Sequence, residues 1–203
     1  MDIREIKIKN EGYILCNSSF YSVNDILTNR EFNFVKGVNL LEGEIDSGIF
    51  GVSYLISMYD RINKKTIFAP FEATVNGETM HLSELSEYSC YLDQSHSLFS
   101  SKKTVRALVE QGLKKSKMVY SADEICNMFH ISEIRFNRPI NATGNEKFKV
   151  MSAIGFSNGK QIFCFPWLSK MRYESINNHM TNLLDTLASL GKIVILPIGK
   201  LPM

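Results

Sequence analysis

The run Lys192-Ile-Val-Ile-Leu-Pro-Ile198 constrains this chain more than any other stretch. A strand with one wet face alternates apolar and polar residues, whereas an unbroken apolar run belongs to a strand covered on both faces, as in a parallel sheet. The preceding residues supply one cover. From Tyr173 to Leu190, the residues Ile176, Met180, Leu183, Leu184, Leu187 and Leu190 form one helical stripe, and Gly191 stands where a helix C-terminus favours glycine. Further upstream, Asn145 to Phe156 has helical spacing, Asn158-Gly159 ends it, and Gln161 to Phe165 reads as a second buried strand. Helix, strand, helix, strand is the alternation of an α/β fold with a parallel sheet.

The first half is more varied. Ile3 to Phe34 reads as short strands turning at Asn10-Glu11-Gly12 and around Asn24-Asp25. Val38 to Ile45 reads as a strand, Asp46 to Gly51 as a turn, and Val52 to Ile62 as a helix. Thr66 to Val75 is extended and broken by Pro70, and Asn76-Gly77 is a hairpin signal. A short helix over His81 to Tyr88 and a short strand over Ser89 to Leu92 follow. Lys102 to Lys117 predicts a basic amphipathic helix, and Ser121-Ala-Asp-Glu124 a capping box opening a helix to Phe129. These helices interrupt the alternation as a small helical lobe. The expected organisation is one domain over residues 1–203: an antiparallel β subdomain and first strand-loop-helix unit (1–94), the lobe (95–140), and the rest of the α/β core (141–203).

Bulk properties remove several function classes. With 23 Lys+Arg against 21 Asp+Glu the net charge is +2, too balanced to recruit nucleic acid by its overall field. The longest apolar run, Ile162 to Leu168, is too short for a bilayer, and Met1 to Asn10 lacks a secretion-signal core, so a cytoplasmic protein is expected. Cys16, Cys90, Cys126 and Cys164 are widely scattered and have neither zinc-ligand nor redox spacing. They read as small hydrophobes in a reducing compartment, and no metal site is expected.

The strand, glycine-bearing loop and helix near Ser53 have the form of a phosphate cradle, in which loop amides and a helix N-terminus hold the anion. Gly48, Gly51 and Ser53 fit such a loop, but Val52 stands where a lysine would neutralise phosphate, and Asp46 adds negative charge. The residues alone favour a tight turn before a core helix over a phosphate site.

The order of segments resembles the nucleotide-binding domain of ATP-binding cassette (ABC) proteins over nearly the whole chain. Asn17 to Tyr21, Ile26-Leu27 and Lys36-Gly37 resemble the family's antiparallel subdomain, with Phe20 or Tyr21 near the adenine-stacking position. Asp46 to Ser53 falls at the Walker A loop, and Gln94 at the Q-loop glutamine. Ala142-Thr-Gly-Asn-Glu146 falls at the signature motif, with Thr143 and Gly144 retained, and Ile162 to Phe165 at the Walker B strand. Ile193 to Leu196 resembles the strand leading to the switch histidine. The resemblance implies a P-loop NTPase-like (ABC ATPase-type) fold.

The departures from that pattern bear on activity. Pro166 and Trp167 replace the family's magnesium-orienting Asp and water-activating Glu, and Pro197-Ile198-Gly199 replace the histidine. His81, His96, His130 and His179 lie elsewhere, and Glu146 would turn a carboxylate toward phosphate. Phosphoryl transfer rests on positioning and charge stabilisation, and each lost group costs about 100- to 1,000-fold. The expectation is therefore a catalytically inactive cassette with weak or no ATP binding and no cofactor. Phe50, Tyr54, Pro166 and Trp167 would fill the nucleotide cavity.

What the resemblance implies for partners is a membrane permease subunit, or a homo- or heterodimer with an active cassette whose nucleotide Thr143-Gly144 would touch. The setting would be transport, such as peptide export or self-protection, at the inner face of the cell membrane. Docking would use His96, Leu98 and Phe99 near Gln94, with Lys102, Lys103, Arg106, Lys114, Lys115 and Lys117 facing anionic lipid or an acidic helix. The same basic run also reads as a solvated helix face. Two other readings stand beside this one: an unconventional P-loop enzyme using Ser53, and a soluble regulatory or binding module.

Overall fold

The computed structural model describes residues 1–10, 13–17, 22–26, 30–44, 47–59, 71–93 and 101–200. Its spine is a parallel sheet in the order β5-β10-β9-β8, with β5 at Gly37–Glu42, β8 at Ser89–Tyr91, β9 at Ile162–Cys164 and β10 at Ile193–Ile198. Every residue of β8, β9 and β10 is buried, as the apolar runs require, while β5 alternates half-buried and exposed residues as the sheet's edge.

Because side chains alternate along a strand, the sheet serves two cores. Ile162, Cys164, Ile193 and Ile195 point to one face, with helix α1 (Ile49–Met58) and the antiparallel strands β1 (Glu5–Asn10) and β4 (Arg30–Val35). Phe163, Phe165, Val194, Leu196 and Ile198 point to the other. That face carries α3 (Val105–Ser116), α4 (Ala122–Met128), α6 (Lys147–Ser157) and α7 (Lys170–Ser189). Strand β1 lies between β4 and β6 (Phe71–Val75), and β6 turns through Asn76-Gly77 into β7 (Glu78–Thr79), forming a four-stranded antiparallel sheet. Asn76 and Gly77 both have positive φ, 53° and 87°, which explains why that dipeptide is there.

Local signals placed several boundaries well. Ser121 and Glu124 form a reciprocal capping box at the start of α4. Gly191, with φ 65°, ends α7, and the Lys192 amide donates to the Leu187 carbonyl across the left-handed turn. Other expectations need correction. Asn24 and Asp25 do not turn: they sit inside β3 (Ser22–Ile26), paired with Leu15 and Ile14 of β2 (Tyr13–Asn17), because cross-strand pairing overrides their turn preference. Helix α1 begins at Ile49, three residues before the expected Val52, since Gly48 takes a left-handed φ of 90° and starts the helix there. Helix α7 likewise starts early, at Lys170, because the Ser169 hydroxyl accepts from the Arg172 amide as an N-cap. A one-turn helix, α5 (Glu133–Phe136), and 3-10 turns at Ile140–Ala142 and Gly144–Glu146 precede α6. The short α2 (Leu82–Glu87) is capped by the His81 ring, whose Nδ1 accepts from the Ser83 amide at 3.2 Å. No helix among the described residues is long and apolar enough to cross a membrane.

Leu187 is fully buried where α7 meets the sheet. Leu187→Ala should cost about 2–5 kcal/mol, read as a lower urea midpoint at unchanged slope.

Candidate functional site

Open α/β sheets bind ligands in the crevice beyond the carboxyl ends of their strands, so that end of the sheet is the place to test the expected site residues. Three elements converge there: the turn after β5, the segment after β9 and the end of β10. They are joined by backbone hydrogen bonds. The Gly43 amide donates to the Ile198 carbonyl at 3.0 Å, the Leu168 amide to the Pro197 carbonyl at 3.1 Å, and the Gly199 amide to the Leu168 carbonyl at 2.9 Å. The segment Pro166–Leu168 thus continues beside β10 instead of opening away from it, and Leu168 bridges to Ile198 in parallel.

Side chains complete the closure. The Trp167 indole N–H donates to the Gly43 carbonyl at 3.1 Å, which draws the ring across the mouth of the crevice. On the far side the ring rests on Gly199, where an added Cβ would stand 2.7 Å from the indole. Glycine at 199 is therefore a packing requirement of this tryptophan. At Gly43 an added Cβ would collide with the Ser47 hydroxyl, which itself donates to the Glu44 carbonyl at 2.6 Å. The loop after β5 is folded tightly on its own atoms.

Ser53 is fully buried, and its hydroxyl donates to the Phe165 carbonyl at 2.7 Å. This bond brings the Walker A-like loop and the end of the Walker B-like strand together, directly before the buried Pro166. It also directs the hydroxyl's only hydrogen toward a main-chain oxygen. Gly51 and Val52 lie within the first turn of α1, so Gly51 is helical where a turn was expected, and Val52 is fully buried in the same core as Phe50. Tyr54 packs edge-on against Tyr91 at 5.5 Å, so Phe50 and Tyr54 are core residues of the same cluster that Trp167 covers. Asp46, Gln94, His96, Leu98, Phe99, Phe20 and Tyr21 lie outside the described residues, as does the side chain of His179.

Thr143 and Gly144 form a second location, in the turns before α6. Thr143 is fully buried and donates its hydroxyl to the Ile140 carbonyl at 2.6 Å. Its own carbonyl accepts from the Arg135 guanidinium, which also crowds Gly144, whose φ is 59°. Glu146 does not face outward toward a phosphate as expected. One carboxylate oxygen accepts from the Ser132 amide and hydroxyl at 3.1 and 3.0 Å and lies 3.9 Å from Arg135. Neither Arg135 nor Ser132 was singled out in the sequence, because this bracing joins residues 8 to 14 positions apart with no local motif.

Cys90 and Cys164 fit the reading of inert thiols. Burial pushes the Cys90 thiol up to about 12, and Cys164 is raised by the same cause. Among the described residues, no three of His, Cys, Asp and Glu come together as metal ligands would.

Comparison with known structures identifies the fold. No protein-family model matches the sequence, and no curated protein is similar to it. Solved structures match over nearly the whole chain at low identity. The ATP-binding cassette MJ0796, in a dimeric post-hydrolysis state with ADP and Pi, superposes with TM-score 0.62 and 16% identity, covering 96% of this chain and 87% of that one. CbiO1 from Clostridium perfringens, part of the ABC transporter complex cbiONQ, gives 0.60 and 16%, covering 99% and 80%. A bacterial Atm1-family ABC exporter with ATP bound gives 0.61 and 12%; it matches all of this chain, which spans only 35% of the exporter's length. The chain therefore has the fold of an ABC ATPase nucleotide-binding domain, with its parallel core, antiparallel β sheet and helical lobe.

Two outcomes test this geometry. Ser53→Ala strips the buried Phe165 carbonyl of its donor and should cost about 1–3 kcal/mol in chemical denaturation. Gly199→Ala should expel the Trp167 ring, seen as a red shift of its emission and faster acrylamide quenching; unchanged emission would contradict the packing described.

Proposed function

We propose that this chain is a catalytically inactive ABC-type subunit, kept for its surfaces, that works beside an active cassette or a membrane permease in transport. The observation that carries the reading is the closed carboxyl end of the parallel sheet. The Trp167 indole is bonded to the Gly43 carbonyl and seated on Gly199, and the Ser53 hydroxyl is spent on the Phe165 carbonyl. Buried Pro166 follows at a position where the resemblance calls for a metal-orienting carboxylate. A triphosphate would have to displace an indole, break main-chain bonds and then find no ammonium at Val52.

Support for the partner class is indirect. CbiO1 is described as part of a transporter complex, and MJ0796 as dimeric with ADP and Pi. A subunit of this kind would contribute the turn at Thr143-Gly144 to a nucleotide held by its partner. That turn is braced by Arg135 and Glu146, which fixes its shape without any bound group. The exposed Lys114 and Lys115 of α3 suit an acidic cytoplasmic element of a permease or the anionic lipid around it, whereas Arg106, expected to join them, is paired with the Asp123 carboxylate at 2.8 Å.

Calorimetric titration with magnesium and ATP, run beside a phosphate-release assay, tests the inactive half of the proposal. Neither heat of binding nor release above the blank is expected, since several stabilising groups worth about 100- to 1,000-fold each are missing together. Saturable micromolar binding or steady turnover would instead favour an unconventional P-loop enzyme. The partner half is tested at the gene: a polytopic membrane protein encoded beside it is expected, and co-expression with that protein should bring the chain into the membrane fraction only in its presence. Recovery outside that fraction throughout would leave a free-standing binding module as the better reading.

A further inference from the structure

The parallel sheet has two edges, and the chain treats them differently. Strand β8 is short and buried throughout. Strand β5 stands in the open, with Val38 43% and Leu40 50% exposed. The register with β10 fixes which main-chain groups of β5 are used. Gly37 and Gly43 donate their amides to the Lys192 and Ile198 carbonyls, so the odd-numbered residues from 37 to 43 bond to β10. The N–H and C=O groups of Val38, Leu40 and Glu42 point the other way and have no partner among the described residues. Both ends of this open stretch are closed off. The Lys36 amide donates to the Arg4 carbonyl, and the Glu44 carbonyl accepts from the Ser47 amide.

An edge strand pairs with another chain unless charge, proline, a bulge, shortness or a cover prevents it. The antiparallel sheet protects its edges in these ways. Strand β7 is a stub, Glu78–Thr79, and β4 presents Glu31 and Asn33 at exposed positions. At the end of β4 the Asn39 side chain occupies both the N–H and the C=O of Val35. Strand β5 has none of these devices along its centre: it pairs with β10 without a bulge, contains no proline, and carries its one charge, Glu42, at its end.

The occupant that fits this edge is the same strand of a second copy. Leu40 is the middle of the open stretch. A twofold axis there sets Leu40 antiparallel to Leu40 of the copy, and Val38 opposite Glu42 in both directions. Each of these pairs exchanges both of its hydrogen bonds, which satisfies every open group on the two strands. The two Glu42 carboxylates fall on opposite sides of the axis, about 13 Å apart along the strands, and do not repel at close range. The side chains agree. Val38 and Leu40 share a face with Val194 and Leu196, their register partners on the helix side, and α7 packs on both β10 and β5. The copy's α7 would stand about 10 Å away, two strand spacings, where helices pack and would cover the exposed Val38 and Leu40.

We propose that β5 is the seam of a twofold dimer of this chain, joining two parallel sheets into one antiparallel about Leu40. So short a seam belongs among weak, concentration-dependent contacts. It does not use the Thr143-Gly144 turn, so it stands whether or not the chain is an inactive cassette.

Sedimentation of the full chain from micromolar to millimolar concentration, with amide hydrogen exchange at the two extremes, tests the seam. A monomer–dimer equilibrium is expected, with the Val38, Leu40 and Glu42 amides exchanging about tenfold or more slowly where dimer predominates. Leu40→Lys sets an ammonium against its own copy at the axis and should sediment as a monomer throughout. Lys114→Gln, on the exposed face of α3, should dimerise like the unaltered chain. The exchange comparison uses the unaltered protein, so the test stands even if Leu40→Lys fails to fold. A monomer at every concentration, a dimer whose Val38, Leu40 and Glu42 amides keep their dilute rates, or a Leu40→Lys chain that still dimerises would each overturn the proposal. Protection of those amides only in complex with a membrane protein would overturn it too, by assigning the edge to that partner.

Discussion

The hydrogen bond from the Trp167 indole to the Gly43 carbonyl is the contact on which the functional end of this molecule depends. It ties the segment after β9 to the turn after β5, across the end of β10 that lies between those two strands. Around it the main chain closes the same gap through Gly43–Ile198, Leu168–Pro197 and Gly199–Leu168 bonds. Each bond alone is worth only about 1 kcal/mol net. Together they make opening the crevice a concerted loss, with the indole's buried area added to it. The proposed inactivity rests on this closure, which a highly charged ligand would have to open before binding.

The fold can tolerate that closure because its stability lies elsewhere. The two faces of β9 and β10 feed separate cores, one with α1 and the antiparallel sheet, the other with the helices. Neither core requires an open carboxyl end. The apolar side chains at Val52, Pro166 and Trp167 add burial without disturbing the layers.

The architecture was largely legible in the sequence. The unbroken apolar run at β10, the stripe of α7 with Gly191, the Ser121–Glu124 box and Asn76-Gly77 each carry a local physical signal, and each lies where that signal puts it. The errors fell where distant contacts outweigh local preference. Asn24 and Asp25 are held in a strand by β2, and α1 starts early because a left-handed Gly48 allows it. The bonding of the candidate residues was not legible. Nothing local shows that Ser53 would reach the Phe165 carbonyl, 112 residues away. The Arg135–Glu146 brace was invisible for the same reason.

A crystal structure determined with magnesium and ATP in large excess tests the central claim most directly. The account predicts an empty crevice, with the Trp167 ring still on Gly199 and its N–H on the Gly43 carbonyl. An ordered triphosphate along Gly48 to Ser53, with the indole swung aside and the Ser53 hydroxyl turned from Phe165, would contradict it.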